Sequence, residues 1–306
     1  MSCCGTHLET GEVKYSDYSS EVQPTWCGGC GNFGIWAALK RALVELKLAP
    51  HDVLLCFDVG CNGNMNDKIG GYRLHSLHGR VLPLAAAAKL ANPKLKVIAM
   101  AGDGATYSEG INHFVNSVRN NFPITFFVHD NGNYGLTTGQ ASATTPQGAP
   151  RTANPAGPTA STLNPLDLAF ALQPSFVARG FSGNIKEMVE IMKEAITWQE
   201  KGFGFVDLLQ ACPTYNKETT HMWYQARVRN IKDINPAHDT ADLNAARMAG
   251  QDLQTEISTG ILYKNEQALS YSARLTHRTE STVWQNSRLI DEVKKYDVSK
   301  YLQKFV

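Results

Sequence analysis

Two loops between Ala99 and Gly139 carry the residue types that hold a divalent cation and a diphosphate. Gly102-Asp103-Gly104 follows the apolar run Val97-Ile98-Ala99-Met100, and Asp130-Asn131-Gly132-Asn133-Tyr134-Gly135 follows Ile124-Thr125-Phe126-Phe127-Val128. Each loop therefore leaves the end of an expected strand. An Asp and an Asn 28 positions apart, on consecutive strand-end loops of a parallel sheet, can point hard oxygens at one ion. Glycines beside Asp103 let backbone N–H groups approach phosphate oxygens closely. Mg2+, usually bound through few protein groups, leaves coordination positions for those oxygens. Alone, a Gly-Asp-Gly is an ordinary turn; the second loop, at this distance and after a second strand, turns it into a candidate site.

The seven cysteines are the other reactive set: Cys3, Cys4, Cys27, Cys30, Cys56, Cys61 and Cys212. In a reducing compartment they read as ligands, nucleophiles or buried apolar residues rather than disulfides. Cys27 and Cys30, set in Trp26-Cys27-Gly28-Gly29-Cys30-Gly31, form a compact turn that can aim two sulfurs at one metal or cluster. Cys56 lies inside an expected strand, 53–57, and reads as core. Cys61 lies past that strand's end, in the same layer of loops as Asp103 and Asn131. Cys212 follows the expected strand 203–209 and precedes Pro213, as in many cluster-binding segments. Thirty residues separate Cys30 from Cys61, and 150 separate Cys61 from Cys212. Four such thiolates suit either tetrahedral zinc or an iron–sulfur cluster, and the cysteines by themselves do not choose.

The elements that must position these residues are legible as an alternation. Strands are expected at 53–57, 97–100, 124–128, 175–178 and 203–209, and helices following Asn32 and at 81–91, 109–120, 166–172 and 185–200. That order implies an α/β, doubly wound, mainly parallel sheet with helices on both faces and ligands at the carboxyl ends of the strands. Asn32 is placed to cap the first helix, whose Trp36, Leu39, Leu43 and Leu46 form a core stripe. His78-Gly79-Arg80 precedes the helix at 81–91, a natural place for anion contact. Residues 136–165 form a long stretch rich in Thr, Ala, Ser, Gly and Pro whose one charged residue is Arg151, as in a lid, an interface segment or a flexible insertion.

Three regions follow: an N-terminal arm at 1–23, the site-bearing α/β domain at 24–215, and a C-terminal extension at 216–306 that packs on the domain or on a partner. The extension shows helical signals near 243–254 and 281–296 and an apolar segment at 257–263. With 306 residues, 43% apolar and 19% charged, at a formal net charge of +1, composition argues against nucleic acid and anionic membranes as partners. No apolar run approaches the roughly 18 residues of a membrane span, and the first residues form no signal peptide, so the expected location is cytoplasmic.

The loop pair resembles the thiamine diphosphate fingerprint, Gly-Asp-Gly followed by Asn-Asn, with Asp130 standing where the first Asn is usual. Together with the cysteines it resembles the β subunit of 2-oxoacid:ferredoxin oxidoreductases, the family of pyruvate and 2-oxoglutarate ferredoxin oxidoreductases. Trp26 to Gly31, Gly60-Cys61, His78-Gly79-Arg80, Gly102-Asp103-Gly104, the run from Asn131 to Gln140, and Cys212-Pro213 carry the likeness. The resemblance implies a thiamine diphosphate-binding fold and a [4Fe-4S] cluster on Cys27, Cys30, Cys61 and Cys212. It implies Mg2+ on Asp103, Asn131 and the backbone carbonyl of Asn133. Cofactor contacts would come from Gly60, Cys61, Asn62, His78, Gly102, Gly104, Ala105, Gly135 and Leu136, with His78 and Cys61 nearest the chemistry.

The activity so implied is coenzyme A-dependent, reversible oxidative decarboxylation of a 2-oxoacid, pyruvate or 2-oxoglutarate, to acyl-CoA and CO2, with electrons passing through the cluster to ferredoxin. An α subunit would supply the glutamate on the aminopyrimidine side, so the working unit would be αβ or (αβ)2. Two features depart from the family pattern: Gly28-Gly29 replaces the usual Pro-x between the first two cysteines, and Thr138 stands where some relatives have a lysine. The second leaves no obvious clamp for a substrate's second carboxylate, and specificity falls to groups around Asn64, Thr138 and the partner. Alternatives are a non-oxidative thiamine decarboxylase or carboligase with structural zinc, and a non-catalytic iron–sulfur interaction subunit.

Overall fold

The structure, a computed structural model, describes residues 12–251 and 255–275 together with Ser299 and Gln303. Cys3, Cys4, most of the expected 1–23 arm, the end of the 243–254 helical signal and the whole 281–296 signal lie outside the described residues.

Eight strands form one sheet: β1 Val53–Phe57, β2 Tyr72–His75, β3 Lys96–Gly102, β4 Thr125–Asp130, β5 Phe176–Phe181, β6 Gly204–Leu209, β7 Val228–Asn230 and β8 Ile257–Lys264. Their order is β2-β1-β3-β4-β6-β5-β8-β7. All pairings from β2 across to β5 are parallel, β8 runs antiparallel to β5, and β7 is parallel to β8. β1, β4, β5 and β6 are buried at every position, the mark of parallel strands covered on both faces. The expected mainly parallel, doubly wound sheet is therefore present.

Helices α1 Asn32–Glu45 and α5 Ile185–Thr197 cover one face. Their Ile35, Leu39, Leu43, Met188 and Met192 pack on Leu55, Phe57, Met100, Phe127 and Val206. On the other face, α2 Val81–Ala91, α3 Ile111–Asn120, α4 Pro165–Ala171 and α8 Leu243–Ala249 close over Ala99, Phe126, Val128 and Phe205. The short α6 His221–Arg227 and α7 Ile231–Ile234 flank β7. Among the described residues no helix is long and apolar enough to cross a membrane.

Three features depart from the sequence reading. β2 has no apolar pattern because all four of its residues are exposed on the sheet edge, where pairing to β1 alone defines it. The 257–263 segment, unassigned from sequence, is β8 and extends the sheet beyond β5. Asn32 does not cap α1: Gly31 occupies the N-cap, and the Asn32 side chain is buried with its Oδ1 2.8 Å from Nδ1 of His129. Its polar end is drawn inward because β4 presents a buried histidine on that face.

Candidate functional site

At the carboxyl edge of the sheet, β1, β3 and β4 deliver three loops to one cleft. Gly60, Cys61 and Asn62 come from the first, Gly102 to Ala105 from the second, and Asn131, Asn133, Gly135 and Leu136 from the third. His78 reaches the same cleft from the turn before α2. Every cofactor-binding residue expected from sequence therefore lines a single cavity, joined by Val59, His129, Tyr134 and Thr137.

Asp103 sits at the start of a single π-helical turn, Gly104–Glu109, that precedes α3. Such turns recur at functional sites, and this one carries Gly104 past the Tyr134 ring. A methyl group on Gly104 would lie 2.4 Å from Tyr134 Cε1, so only glycine allows the two loops to close together. The Asp103 carboxylate is buried and accepts hydrogen bonds from the Ser142 hydroxyl, from Thr144 Oγ1 at 2.9 Å and from the Asn131 N–H at 3.5 Å. Burial pushes its pKa up, against the pull of the Ser142, Thr144 and Asn131 donors. Asp130, also buried, is pushed up to about 7 by burial and then by the Asp103 charge.

The loop after β4 is tied down atom by atom. Gly132 adopts φ +66°, its N–H donates to Asp130 Oδ1 at 3.3 Å, and its carbonyl accepts from Thr145 Oγ1 at 2.7 Å and Arg151 Nε at 3.2 Å. The Asn133 N–H donates to Asn131 Oδ1 at 3.2 Å, and Asn216 Nδ2 donates to the Asn131 carbonyl at 2.9 Å. The long 136–165 segment is thus a bracket for this loop, with Ser142, Thr144, Thr145 and Arg151 all buried against it. A second bracket is Asp58 at the end of β1. Its Oδ1 accepts the N–H groups of Val59 and Gly79, each at 2.8 Å, and its Oδ2 accepts that of Val81 at 3.1 Å. This fixes the Gly60 loop and the His78-Gly79-Arg80 turn to each other, with the His78 ring 6.1 Å from that of Tyr134.

The four candidate thiols come together beside the cleft. Cys30 and Cys212 are buried, Cys61 is half-buried and Cys27 is exposed. Cys61 is pushed up to about 12 by burial and by Cys30, Cys212 and Cys27, and Cys30 rises for the same kinds of reason. The turn is closed by the Cys30 N–H to the Cys27 carbonyl at 3.0 Å, and Trp26 Nε1 donates to the Cys61 carbonyl at 2.7 Å. A methyl on Gly135, in the loop after β4, would lie 3.3 Å from Cys61 Sγ and 3.9 Å from Cys212 Sγ. Cys56 is buried within β1 and pushed up to about 12 by burial, as a core thiol is.

The thiamine pyrophosphate enzyme C-terminal TPP-binding domain family matches residues 58–208, and the C-terminal family of the pyruvate ferredoxin oxidoreductase β subunit matches residues 212–280. The β subunit of a Saccharolobus solfataricus 2-oxoacid:ferredoxin oxidoreductase is 39% identical over 84% of this chain and 87% of its own. The chain belongs to the 2-oxoacid:ferredoxin oxidoreductase β-subunit family. A second relative, the β subunit of 2-oxoacid:ferredoxin oxidoreductase 1 from Aeropyrum pernix, is 35% identical over 93% of this chain and 91% of its own length. Among solved structures, a 2-oxoglutarate:ferredoxin oxidoreductase from Magnetococcus marinus, with 2-oxoglutarate, coenzyme A and succinyl-CoA bound, superposes with a TM-score of 0.84. It is 33% identical, over 95% of each chain. Thiamine diphosphate is the cofactor of this fold, and a β subunit implies an α-subunit partner.

Sequence reasoning did not reach Asp58, Ser142, Thr144 or Arg151. Asp58 opens the Gly60-Cys61 loop, and its position after a strand was a usable signal. The hydroxyl residues lie in a stretch without periodicity, where nothing marks which ones turn inward.

Proposed function

We propose that this β subunit holds both the thiamine diphosphate and the electron outlet of an enzyme that converts a 2-oxoacid and coenzyme A to acyl-CoA and CO2, passing electrons to ferredoxin. The observation that carries this reading is the close approach at Gly135, where a methyl on the loop after β4 would lie 3.3 Å from Cys61 Sγ and 3.9 Å from Cys212 Sγ. One loop serves two sites. When bound, thiamine diphosphate supplies the electron sink for decarboxylation, and a cluster supplies a one-electron outlet.

The donor set fits those groups. Asp103, Asn131 and the Asn133 carbonyl are hard oxygens suited to Mg2+, and a cation there offsets the burial that raises Asp103 and Asp130. Gly60, Gly102, Gly104 and Ala105 leave backbone open to the diphosphate, and His78 offers a ring N–H from the turn that Asp58 holds. Four thiols from three loops, Cys30 and Cys212 buried, Cys61 half-buried and Cys27 exposed, with burial pushing Cys61 and Cys30 up, fit a cationic iron core on Cys27, Cys30, Cys61 and Cys212. The likeness to ferredoxin oxidoreductase subunits favours a redox-active cluster over the zinc carboligase reading.

The residues of this chain have separable tasks. Thr144 and Ser142 hold the Asp103 carboxylate in place, Thr145 and Arg151 fix the Gly132 peptide between the two asparagines, and Asp58 aims His78. Among the described residues no Lys or Arg lines the cleft, and we assign recognition of a second substrate carboxylate to the α subunit, which also supplies the aminopyrimidine-side glutamate. We read the active form as αβ or (αβ)2 in the cytoplasm, with 24–215 bearing the site and 216–306 an extension that packs on that domain or on the partner subunit.

Anaerobic co-purification with the α partner tests this directly. The expected complex is brown, contains iron and acid-labile sulfide, and bleaches on addition of pyruvate or 2-oxoglutarate with coenzyme A. Asp103→Ala is expected to stop bleaching while leaving the colour. Turnover retained in Asp103→Ala would defeat the metal assignment, and a colourless complex holding one zinc would defeat the redox reading.

A further inference from the structure

Gln210 is the residue between the end of β6 and the Ala211-Cys212 turn, and its side chain is buried against the thiols. Its Nε2 lies 3.4 Å from Cys30 Sγ. The amide is held there by its surroundings. Its backbone N–H donates to the Asp130 carbonyl at 2.8 Å, and the Gly31 N–H donates to the Ala211 carbonyl at 3.1 Å. Gly31 has no space for a side chain because Gln210 Cγ and Ser182 Oγ would meet a methyl there at 2.7 and 2.6 Å. The glycine after the second cysteine of the motif is thus the slot into which Gln210 fits. At the other end of the amide, Oε1 is buried with no hydrogen-bond partner. The N–H to sulfur contact is what orients the group.

We propose that Gln210 tunes the iron–sulfur cluster by donating its amide N–H to the Cys30 sulfur. This rests on the four-thiolate cluster reading above. A ligating thiolate has no hydrogen to give, so only an N–H can face it favourably. Such a bond withdraws electron density from the sulfur and stabilises the more negative, reduced cluster, which raises the reduction potential. Burial strengthens the effect, because little solvent screens a dipole at this depth. Gln210 acts through Cys30 and is a positioning residue, not a catalytic one. Its backbone bond to Asp130 also ties the sulfur side of the site to the strand that carries the metal loop.

The test is an EPR-monitored redox titration of the anaerobic αβ complex, wild type against Gln210→Met, which keeps the side-chain length and removes the donor. The expected result is a lower midpoint in the variant. At the wild-type midpoint its reduced-to-oxidised ratio falls about tenfold, equivalent to about 59 mV for a one-electron couple. If Gln210→Met purifies without iron, Gln210→Glu keeps the shape and sets an oxygen against the sulfur, and a lower midpoint is again expected. An unchanged midpoint in an iron-loaded variant overturns the proposal while leaving the cluster reading intact. A wild-type complex with zinc and no sulfide overturns both.

Discussion

The loops after β3 and β4 that line the cleft are held by a dense set of side-chain hydrogen bonds, whereas the four cysteines beside them are gathered with few. Asp103, Asp130, Gly132 and Asn131 each meet at least one buried donor from Ser142, Thr144, Thr145, Arg151 or Asn216. Among the described residues, Cys30 Sγ meets the Gln210 side-chain amide at 3.4 Å and Cys212 Sγ meets the Asn133 side-chain oxygen Oδ1 at 4.0 Å. On the proposed reading the difference follows from the ligands each region would hold. A diphosphate and a hard cation demand oxygens and N–H groups at set positions, so the loops are shaped in advance. On the proposed cluster reading, thiolates bind iron strongly enough to need little more than proximity, and burial, which pushes Cys61 and Cys30 up, keeps those two thiols from becoming anions until a cation arrives.

The largest test of this division is Cys212→Ala in the αβ complex. It is expected to remove the brown colour and reduce ferredoxin-linked turnover to background, while calorimetry shows thiamine diphosphate with Mg2+ still binding. Parallel loss of thiamine binding would mean that the cluster also shapes the cleft, and the two regions would be one. Thr144→Val works from the other side. Thr144 Oγ1 lies 2.9 Å from Asp103 Oδ2 and 2.7 Å from Asp130 Oδ1, so removing the hydroxyl unsettles the carboxylate but touches no sulfur. Outer partners of this kind typically contribute about 10–100-fold to metal affinity, and a loss of that size in Mg2+ affinity is expected with an unchanged EPR spectrum. Unchanged Mg2+ affinity would sink the bracket role assigned to the 136–165 segment.

The smallest effect concerns His129, which lies on β4 below both regions. Burial pushes its pKa from 6.5 down to about 3, with Nδ1 2.8 Å from Asn32 Oδ1. The unfolded chain takes up a proton near 6.5 and the folded one does not until about 3, so this residue removes stability as pH falls between those values. The slope approaches about 1.4 kcal/mol per pH unit. His129→Gln is expected to flatten the acid limb of thermal melts between pH 6.5 and 5; an unaltered limb would show that the histidine is protonated in the fold.

Much of the fold was legible because the strands that matter most are unbroken apolar runs. The expected strand at 53–57 and helix at 81–91 match β1 and α2 at both ends. β2 was missed because an exposed edge strand has no face to bury, and Tyr72–His75 shows no alternation to find. Asn32 misled for a related reason: a polar residue at a helix start reads as a cap unless a buried partner, here His129, is known to lie opposite.

By itself, the sequence determined the residue types of the candidate site: oxygen-bearing side chains and glycines on two strand-end loops, and four thiols with fixed spacing. Those are properties of residue type and of position relative to strands, and both are local. Only the tertiary structure decided what holds them. Ser142 and Thr144 come to Asp103 across 39 and 41 residues, and Gln210 comes to Cys30 across 180. Such contacts depend on which loops the crossovers set side by side at the sheet edge, and no local pattern of charge, size or period encodes that juxtaposition.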